Sequence, residues 1–221
     1  MKLIINALAK FLAGLLLIAV MLFLPAGTIE FEGAWLFITL LFIPMLILGV
    51  VLLIRSPDLL KRRLDGKEKQ KDQKGIIKLS GLMFPAGFIV SALDFRFGWS
   101  HVPAWLIATA SVLFLLGYAT YAEVMRENAY LSRTVQVSEG QKVISTGLYG
   151  IVRHPMYAVT LLLFLSMPLV LGAPISFLIF LVYPFLIAKR IRNEEQVLLD
   201  GLEGYKAYTE KVKYRLIPFL W

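Results

Sequence analysis

Long uncharged apolar stretches alternate with charged segments along this chain. Five stretches contain no charged side chain: residues 11–24, 33–54, 79–93, 102–122 and 155–188. A helix over 33–54 would be about 33 Å long, which is enough to cross the apolar part of a bilayer. The stretch 79–93 is shorter, so we expect the side chain of Lys78 to reach back to the interface. The pattern predicts membrane-spanning helices.

The last uncharged stretch is long enough to cross the membrane twice. Leu171-Gly172-Ala173-Pro174 interrupts it, and glycine permits a tight turn while proline favours a helix start. Each arm, 157–171 and 175–188, would be only about 22 Å long, so we expect the helices to continue into the flanking charged segments.

The chain is therefore predicted to be an all-α polytopic membrane protein with about six transmembrane helices, of which the last two form a helical hairpin. It reads as a single membrane domain. Residues 1–122 supply four N-terminal transmembrane helices, and residues 123–221 supply the candidate cofactor-binding and catalytic region with the hairpin and a cytoplasmic tail.

Composition supports the membrane class and narrows the chemistry. Apolar residues make up 58% of the chain and the mean hydropathy is +0.73, as in an integral membrane protein. The chain has no cysteine, which excludes disulfides, thiolate metal sites and cysteine catalysis. Two histidines leave little room for a metal site, so none is predicted. No small-residue cleavage site follows the first apolar stretch convincingly, so we interpret it as a retained signal anchor.

The basic residues lie almost entirely on one side of the predicted helices. Segments 55–78 and 123–153, the tail after Ala188, and Lys2 with Lys10 hold all 23 basic residues except Arg96. Basic residues concentrate on the cytoplasmic side, so both termini and the polar flanks of the hairpin are expected there. The net charge of +8 is then a topology signal and an attraction to anionic membrane lipids, and nucleic acid binding is not expected.

Two polar clusters flank the hairpin. The first contains Tyr149, Arg153, His154 and Tyr157, and the second contains Lys189, Arg190, Arg192, Glu194 and Glu195. If the hairpin doubles back, both clusters meet on one side of the membrane, where a water-soluble reagent can reach a lipid-dissolved molecule. Interfacial anchoring, with the tyrosines in an aromatic belt, is the alternative.

Local spacing adds detail around the hairpin. His154 precedes a proline, so its backbone is biased away from helix and its ring is expected to project from the hairpin entry. Residues 135–137 alternate weakly and indicate a short extended piece before a turn at Gly140. Arg190 and Glu194 are four residues apart and share a helix face. Tyr205 and Tyr208, three residues apart, also share a face, which more often indicates packing than chemistry.

The spaced motifs together resemble the isoprenylcysteine carboxyl methyltransferase family. They are residues 147–157 with the core Arg153-His154-Pro155-Met156-Tyr157, the hairpin, the Glu194-Glu195 pair, Gly204-Tyr205-Lys206-Ala207-Tyr208, and residues 215–218. Membrane phospholipid methyltransferases share the Arg-His-Pro and Glu-Glu signatures. The resemblance covers residues 124–221, and a family core of five spans would make the first span of this chain an addition.

This resemblance implies S-adenosylmethionine as the cofactor, bound on the cytoplasmic side. The residues that it assigns to cofactor binding are Thr134, Gln141, Lys142, Val143, Ile144, Tyr149, His154, Pro155, Met156, Tyr157 and Glu194. Arg190 falls where the family places a residue that faces the substrate carboxylate. The spacing between the glutamate pair and Tyr205 is one residue shorter than the common pattern, so either Glu194 or Glu195 could contact the cofactor.

The residue types fit methyl transfer from a sulfonium, in which positioning supplies much of the rate. A carboxylate acceptor needs no general base but does need a cation, and a guanidinium offers two parallel hydrogen bonds. Arg190 is the first candidate and Arg153 the second. An amine acceptor would need a proton acceptor, which would be Glu195 or His154.

A lipophilic or lipid-modified carboxylate is therefore the expected acceptor, and a phospholipid amine is the alternative. Two other classes stay open. Membrane sterol reductases resemble the last spans and bind a nicotinamide cofactor at a comparable place. A noncatalytic protein could also use the fold as a lipid-binding scaffold.

Overall fold

The computed structural model describes residues 1–66 and 71–221. The regular structure in this part of the chain is helical, with no strand. Its helices are α1 Lys2–Ala26, α2 Glu32–Arg55, α3 Pro57–Leu64, α4 Lys71–Phe97, α5 Ala104–Glu127, α6 Pro155–Val170, α7 Phe177–Phe180, α8 Tyr183–Gly201 and α9 Tyr205–Lys211. Residues 67–70, within the charged segment predicted before the third span, lie outside the described residues.

The predicted spans are confirmed. Five segments are long and apolar enough to cross a membrane, namely Lys2–Ala26, Glu32–Arg55, Gly75–Phe97, Ala104–Glu127 and Pro174–Gly201, and Pro155–Val170 is a shorter apolar helix. The hairpin turn lies at Gly172, whose φ of 71° is a left-handed conformation that glycine adopts without strain. The described residues therefore have the predicted architecture of an all-α polytopic membrane protein.

Helices extend beyond their uncharged stretches, α4 and α8 with the greatest consequence for the site, and the short α3 was not predicted. α4 begins at Lys71 and α8 ends at Gly201, because charged residues at the membrane surface do not interrupt a helix. α3 has Pro57 in its first turn and Asp58 beside it, both of which favour a helix start. The short α3 therefore had a sequence signal that hydropathy does not detect.

The hairpin is held by close contacts on both sides. α6 packs along α5, and α4 packs against α7 and α8. A Cβ on Gly33 would lie 2.4 Å from the carbonyl oxygen of Leu171, so only glycine lets the start of α2 approach the hairpin turn this closely. The ring of Phe84 meets those of Phe164 and Phe180 edge to face, at 4.7 and 5.9 Å between centroids.

The segment between α5 and α6 has little regular structure. Residues 135–137 form no strand, and the expected turn at Gly140 is present, with the backbone N–H of Gln141 donating to the carbonyl of Ser138 over 3.0 Å. A 3-10 turn, Gly147–Gly150, precedes α6. This irregular segment lies beside the bases of α6 and α8, where the polar residues collect.

Candidate active site

A buried carboxylate joins the two polar clusters at the base of the hairpin. The side chain of Glu195 on α8 is only 7% exposed, and it accepts hydrogen bonds from Nε of Arg153 and Nε of Arg215, each over 2.7 Å. Nε2 of His154 lies 3.3 Å from the same carboxylate. Burying a charge is costly unless it is paired and hydrogen-bonded, and here both conditions hold.

The chain end completes this cluster with backbone contacts. The N–H groups of Arg153 and His154 donate to the carbonyls of Tyr214 and Arg215, both over 2.9 Å. Nη1 of Arg153 donates to the carbonyls of Val212 and Lys213 over 2.9 and 3.1 Å. The segment before α6, the middle of α8 and the chain end are thus fixed to one another.

The hydroxyl of Tyr157 lies at the centre of a second group. It accepts a hydrogen bond from Nε of Arg190 over 2.8 Å and donates one to Glu194. Nη2 of Arg190 donates to the carbonyl of Arg133 over 2.9 Å, which attaches the irregular segment to α8. Nδ1 of His154 lies 4.0 Å from Glu194, so the two groups adjoin.

Glu127 holds the turn that presents Tyr149. Its two carboxylate oxygens accept a hydrogen bond from the N–H of Leu148 over 3.1 and 3.0 Å. Gly147 has a φ of 56°, and a Cβ there would lie 1.8 Å from Glu127, so this position requires glycine. Asn128 donates to the hydroxyl of Tyr149 over 3.0 Å.

Burial also acts on two tyrosines at the base of the hairpin. It raises the pKa of Tyr149, whereas the hydrogen bond from Asn128 opposes the shift. It raises the pKa of Tyr208 as well, and the Tyr208 hydroxyl donates to the carbonyl of Tyr149 over 2.7 Å. Both phenols therefore keep their protons at neutral pH and act as hydrogen-bonding groups.

One cavity of about 460 Å³ opens between these elements. The sequence-predicted site residues that line it are Thr134, Gln141, Lys142, Val143, Ile144, Tyr149, Arg153, His154, Met156, Tyr157, Arg190 and Glu194. Pro155 and Glu195 do not line it; Pro155 begins α6, and Glu195 is enclosed by its ion pairs. Pockets of this size hold small molecules and cofactors.

The cavity also has an apolar wall that the sequence reasoning missed. It is formed by residues of α4, α6 and α8: Ile76, Ile77, Ser80, Gly81, Phe84, Thr160, Phe164, Tyr183 and Ile187. Ile77 is 41% exposed, so the wall reaches the exposed side of α4. No motif marks these positions, because apolar residues inside a span and residues that line a cavity have the same composition.

The predicted catalytic residues differ in their surroundings. Arg190 lines the cavity beside Tyr157. Arg153 and Glu195 are paired with each other inside the protein, which suits positioning of the segment before α6. The catalytic roles predicted for Arg190, Arg153 and Glu195 stay predictions.

We expect Glu195→Gln to destabilise the folded protein by roughly 3 kcal/mol, toward the low end for breaking a buried ion pair, because Arg215 is partly exposed and glutamine still accepts a hydrogen bond. Thermal unfolding in detergent measures the effect. Glu203→Gln, at an exposed position nearby, is the matched control and should change stability by less than about 0.5 kcal/mol. Equal unfolding midpoints for Glu195→Gln and the unmodified protein would contradict the stabilising role of the cluster.

Parts of this chain are similar to three curated proteins. The Delta(14)-sterol reductase TM7SF2 of Mus musculus is 30% identical over 91 residues, which is 40% of this chain and 22% of that protein. The Delta(14)-sterol reductase of Methylotuvimicrobium alcaliphilum is 24% identical over 135 residues, 54% of this chain and 32% of that protein. The uncharacterized protein YpbQ of Bacillus subtilis is 28% identical over 98 residues, 44% of this chain and 58% of that protein.

The chain therefore spans between about a fifth and three fifths of the length of these curated relatives. One further match is to a family model, and it covers both polar clusters that flank the hairpin. Residues 106–200, from α5 through the hairpin to the end of α8, match the model of the isoprenylcysteine carboxyl methyltransferase (ICMT) family, which confirms the resemblance read from the motifs.

Proposed function

We propose that this protein is an integral membrane methyltransferase that uses S-adenosylmethionine to methylate a lipophilic carboxylate. One observation carries the proposal: the cavity joins a polar, loop-lined side to an apolar wall that reaches the exposed side of α4, a helix long and apolar enough to span a membrane. Within that cavity, the hydroxyl of Tyr157 is hydrogen-bonded to both Arg190 and Glu194. The family match over residues 106–200 supports methyl transfer as the reaction.

The residues of the polar side fit this cofactor. Gln141, Lys142, Val143 and Ile144 line the cavity in sequence, and a loop of this kind offers backbone donors and acceptors to a nucleoside. The Glu194 carboxylate suits hydroxyl or ammonium groups, and Tyr149 and Met156 add apolar surface. When bound, S-adenosylmethionine supplies an activated methyl group on a sulfonium, so the protein contributes mainly position and exclusion of water.

Arg190 has the chemistry to recruit an acceptor carboxylate. Its guanidinium is held on one edge by Tyr157 and Arg133, and a fixed planar cation orients a carboxylate better than a mobile ammonium does. An amine acceptor would need a base, but Glu195 is occupied by Arg153 and Arg215, and Nε2 of the other candidate, His154, already lies 3.3 Å from Glu195. This arrangement favours O-methylation over the phospholipid amine alternative.

The apolar wall accounts for the lipophilic part of the acceptor. Ile77 and Gly81 lie on the exposed side of α4 and also line the cavity, whereas Phe84 and Phe164 line it at positions further along their spans. A fatty, isoprenoid-like or aromatic group would remove apolar surface from water there. A lipid-modified molecule and a small hydrophobic acid both fit this description.

The two sterol reductase matches favour one second candidate, a nicotinamide-dependent membrane reductase. Arg133, Lys142 and Arg190 line the cavity and could hold phosphate. The methyltransferase is the better proposal because the family model covers the hairpin and both flanking polar clusters. A noncatalytic lipid-binding role would not require the hydrogen-bonded group of Tyr157, Arg190 and Glu194 in the cavity.

We also propose that the cavity opens on the cytoplasmic side, with both termini there. The asymmetry of basic residues supports this orientation. Reporter fusions at Trp221 and near Asp65 should both be cytoplasmic, and an insertion in the loop 98–103 should be external. An external reporter at Trp221 would contradict the six-span arrangement.

We expect substitutions of Arg190 and Glu194 to differ in kind. Glu194→Gln should weaken binding of S-adenosylhomocysteine by about tenfold, or 1.4 kcal/mol, because it removes a carboxylate from the cofactor side. Arg190→Ala should leave that binding nearly unchanged and lower methyl transfer to host membranes at least tenfold, about 1.4 kcal/mol in the barrier. Arg190→Lys keeps the charge without the planar fork, so partial activity would indicate recruitment by charge alone.

Arg192→Ala provides the matched control, because Arg192 is an exposed cation on the same helix outside the cavity. It should change neither binding nor turnover. Full turnover by Arg190→Ala with an identified acceptor would contradict the carboxylate proposal. An amine acceptor served by His154, which lines the cavity, would then be the better explanation.

A further inference from the structure

The hydroxyl of Tyr205 is buried without a hydrogen-bond partner among the described residues. Tyr205 begins α9 directly after Gly204, and the residue is only 4% exposed. Its ring packs in a small apolar cluster with Leu202, Tyr208 and Val212, apart from the main core. Phenylalanine would serve this packing equally well, and an unpaired buried hydroxyl costs free energy. The hydroxyl therefore calls for an explanation outside packing.

This hydroxyl is suited to donate a hydrogen bond. Burial, and then the negative charges of Glu195 and Glu194, raise the pKa of Tyr205, so the phenol keeps its proton at neutral pH. The hydroxyl of its neighbour Tyr208 already donates to the carbonyl of Tyr149. The hydroxyl of Tyr208 thus has a hydrogen-bond partner within the protein, whereas that of Tyr205 has none among the described residues.

The position of Tyr205 indicates where that partner would be. Tyr205 lines the cavity together with Val143, Leu198 and Leu202. Val143, Leu198 and Leu202 give the cavity an apolar surface beside Tyr205, which suits a flat heteroaromatic group that carries hydrogen-bond acceptors. The apolar wall of the cavity, with Phe84 and Phe164, comes from other elements. The acceptor is therefore not the molecule expected beside Tyr205.

We propose that Tyr205 donates a hydrogen bond to the adenosine part of the cofactor, while Val143, Leu198 and Leu202 pack around the base. This inference rests on the proposed function and adds a cofactor-binding residue from the chain end. The amino-acid part of the cofactor is a poorer partner for this tyrosine. Its carboxylate would lie near Glu194 and Glu195, the charges that act on the Tyr205 hydroxyl.

Tyr205→Phe tests the proposal, because it removes the hydroxyl and keeps the ring. Without ligand, the variant should unfold at the same or a higher temperature than the unmodified protein, since an unpaired buried polar group is lost. Its affinity for S-adenosylhomocysteine should fall about five- to tenfold. Its affinity for 5′-methylthioadenosine, which lacks the amino-acid part, should fall by the same factor.

Two tyrosines serve as controls. Tyr208→Phe breaks a hydrogen bond that is made within the protein, so it should lower the unfolding temperature without ligand, opposite in direction to Tyr205→Phe. Tyr214→Phe, outside the cavity, should leave both affinities unchanged.

Three results would overturn the assignment of Tyr205: unchanged affinities for both ligands, a loss confined to S-adenosylhomocysteine, or reduced stability of Tyr205→Phe without ligand. The second would place the contact on the amino-acid part, and the third would show that the hydroxyl is paired within the protein. Failure of the unmodified protein to bind either ligand would instead contradict the proposed function itself.

Discussion

The ion-paired carboxylate of Glu195 ties together three segments that are distant along the chain. Arg153 and His154 come from the entry to α6, Glu195 from the middle of α8, and Arg215 from the chain end. Removing one partner would leave buried charge without compensation. The cluster therefore fixes the distance between the base of the hairpin and the tail. Residues from both of these parts line the polar side of the cavity.

Further hydrogen bonds hold the side chains around Tyr157 and the irregular segment between α5 and α6 in place. Arg190 and Glu194 lie on the same face of α8, and both reach the hydroxyl of Tyr157 on α6. Arg190 also holds the irregular segment through the carbonyl of Arg133, and Arg63 of α3 donates to the carbonyl of Ser132 over 3.2 Å. A segment without regular structure is thereby kept against two helices, which a preorganised binding site requires.

Hydropathy and charge were sufficient to predict the spans, because an uncharged stretch of the right length has few other uses. Helix ends were less predictable. α8 runs on to Gly201 because the charged residues after Ala188 lie beyond the apolar stretch and are good helix formers. The 3.6-residue period also predicted correctly that Arg190 and Glu194 share a face.

The spacing of residues along the sequence could not predict which distant side chains pair with each other. Nothing local indicates that Glu195 pairs with Arg153 and Arg215 while its neighbour Glu194 turns to Tyr157. The apolar wall with Phe84 and Phe164 was missed for a related reason, since a cavity inside a span has the composition of the span. Tyr205 was assigned to packing, and only the structure shows that its hydroxyl lacks a partner among the described residues.

The most direct measurement is methyl transfer itself. Purified protein would be incubated with methyl-labelled S-adenosylmethionine and host membranes, and the lipid extract would be treated with mild alkali. The account predicts label in a lipophilic product that alkali releases, as expected for a carboxyl ester. Label in alkali-stable N-methyl lipids would contradict the carboxylate acceptor, and oxidation of NADPH without any transfer of label would contradict methyl transfer altogether.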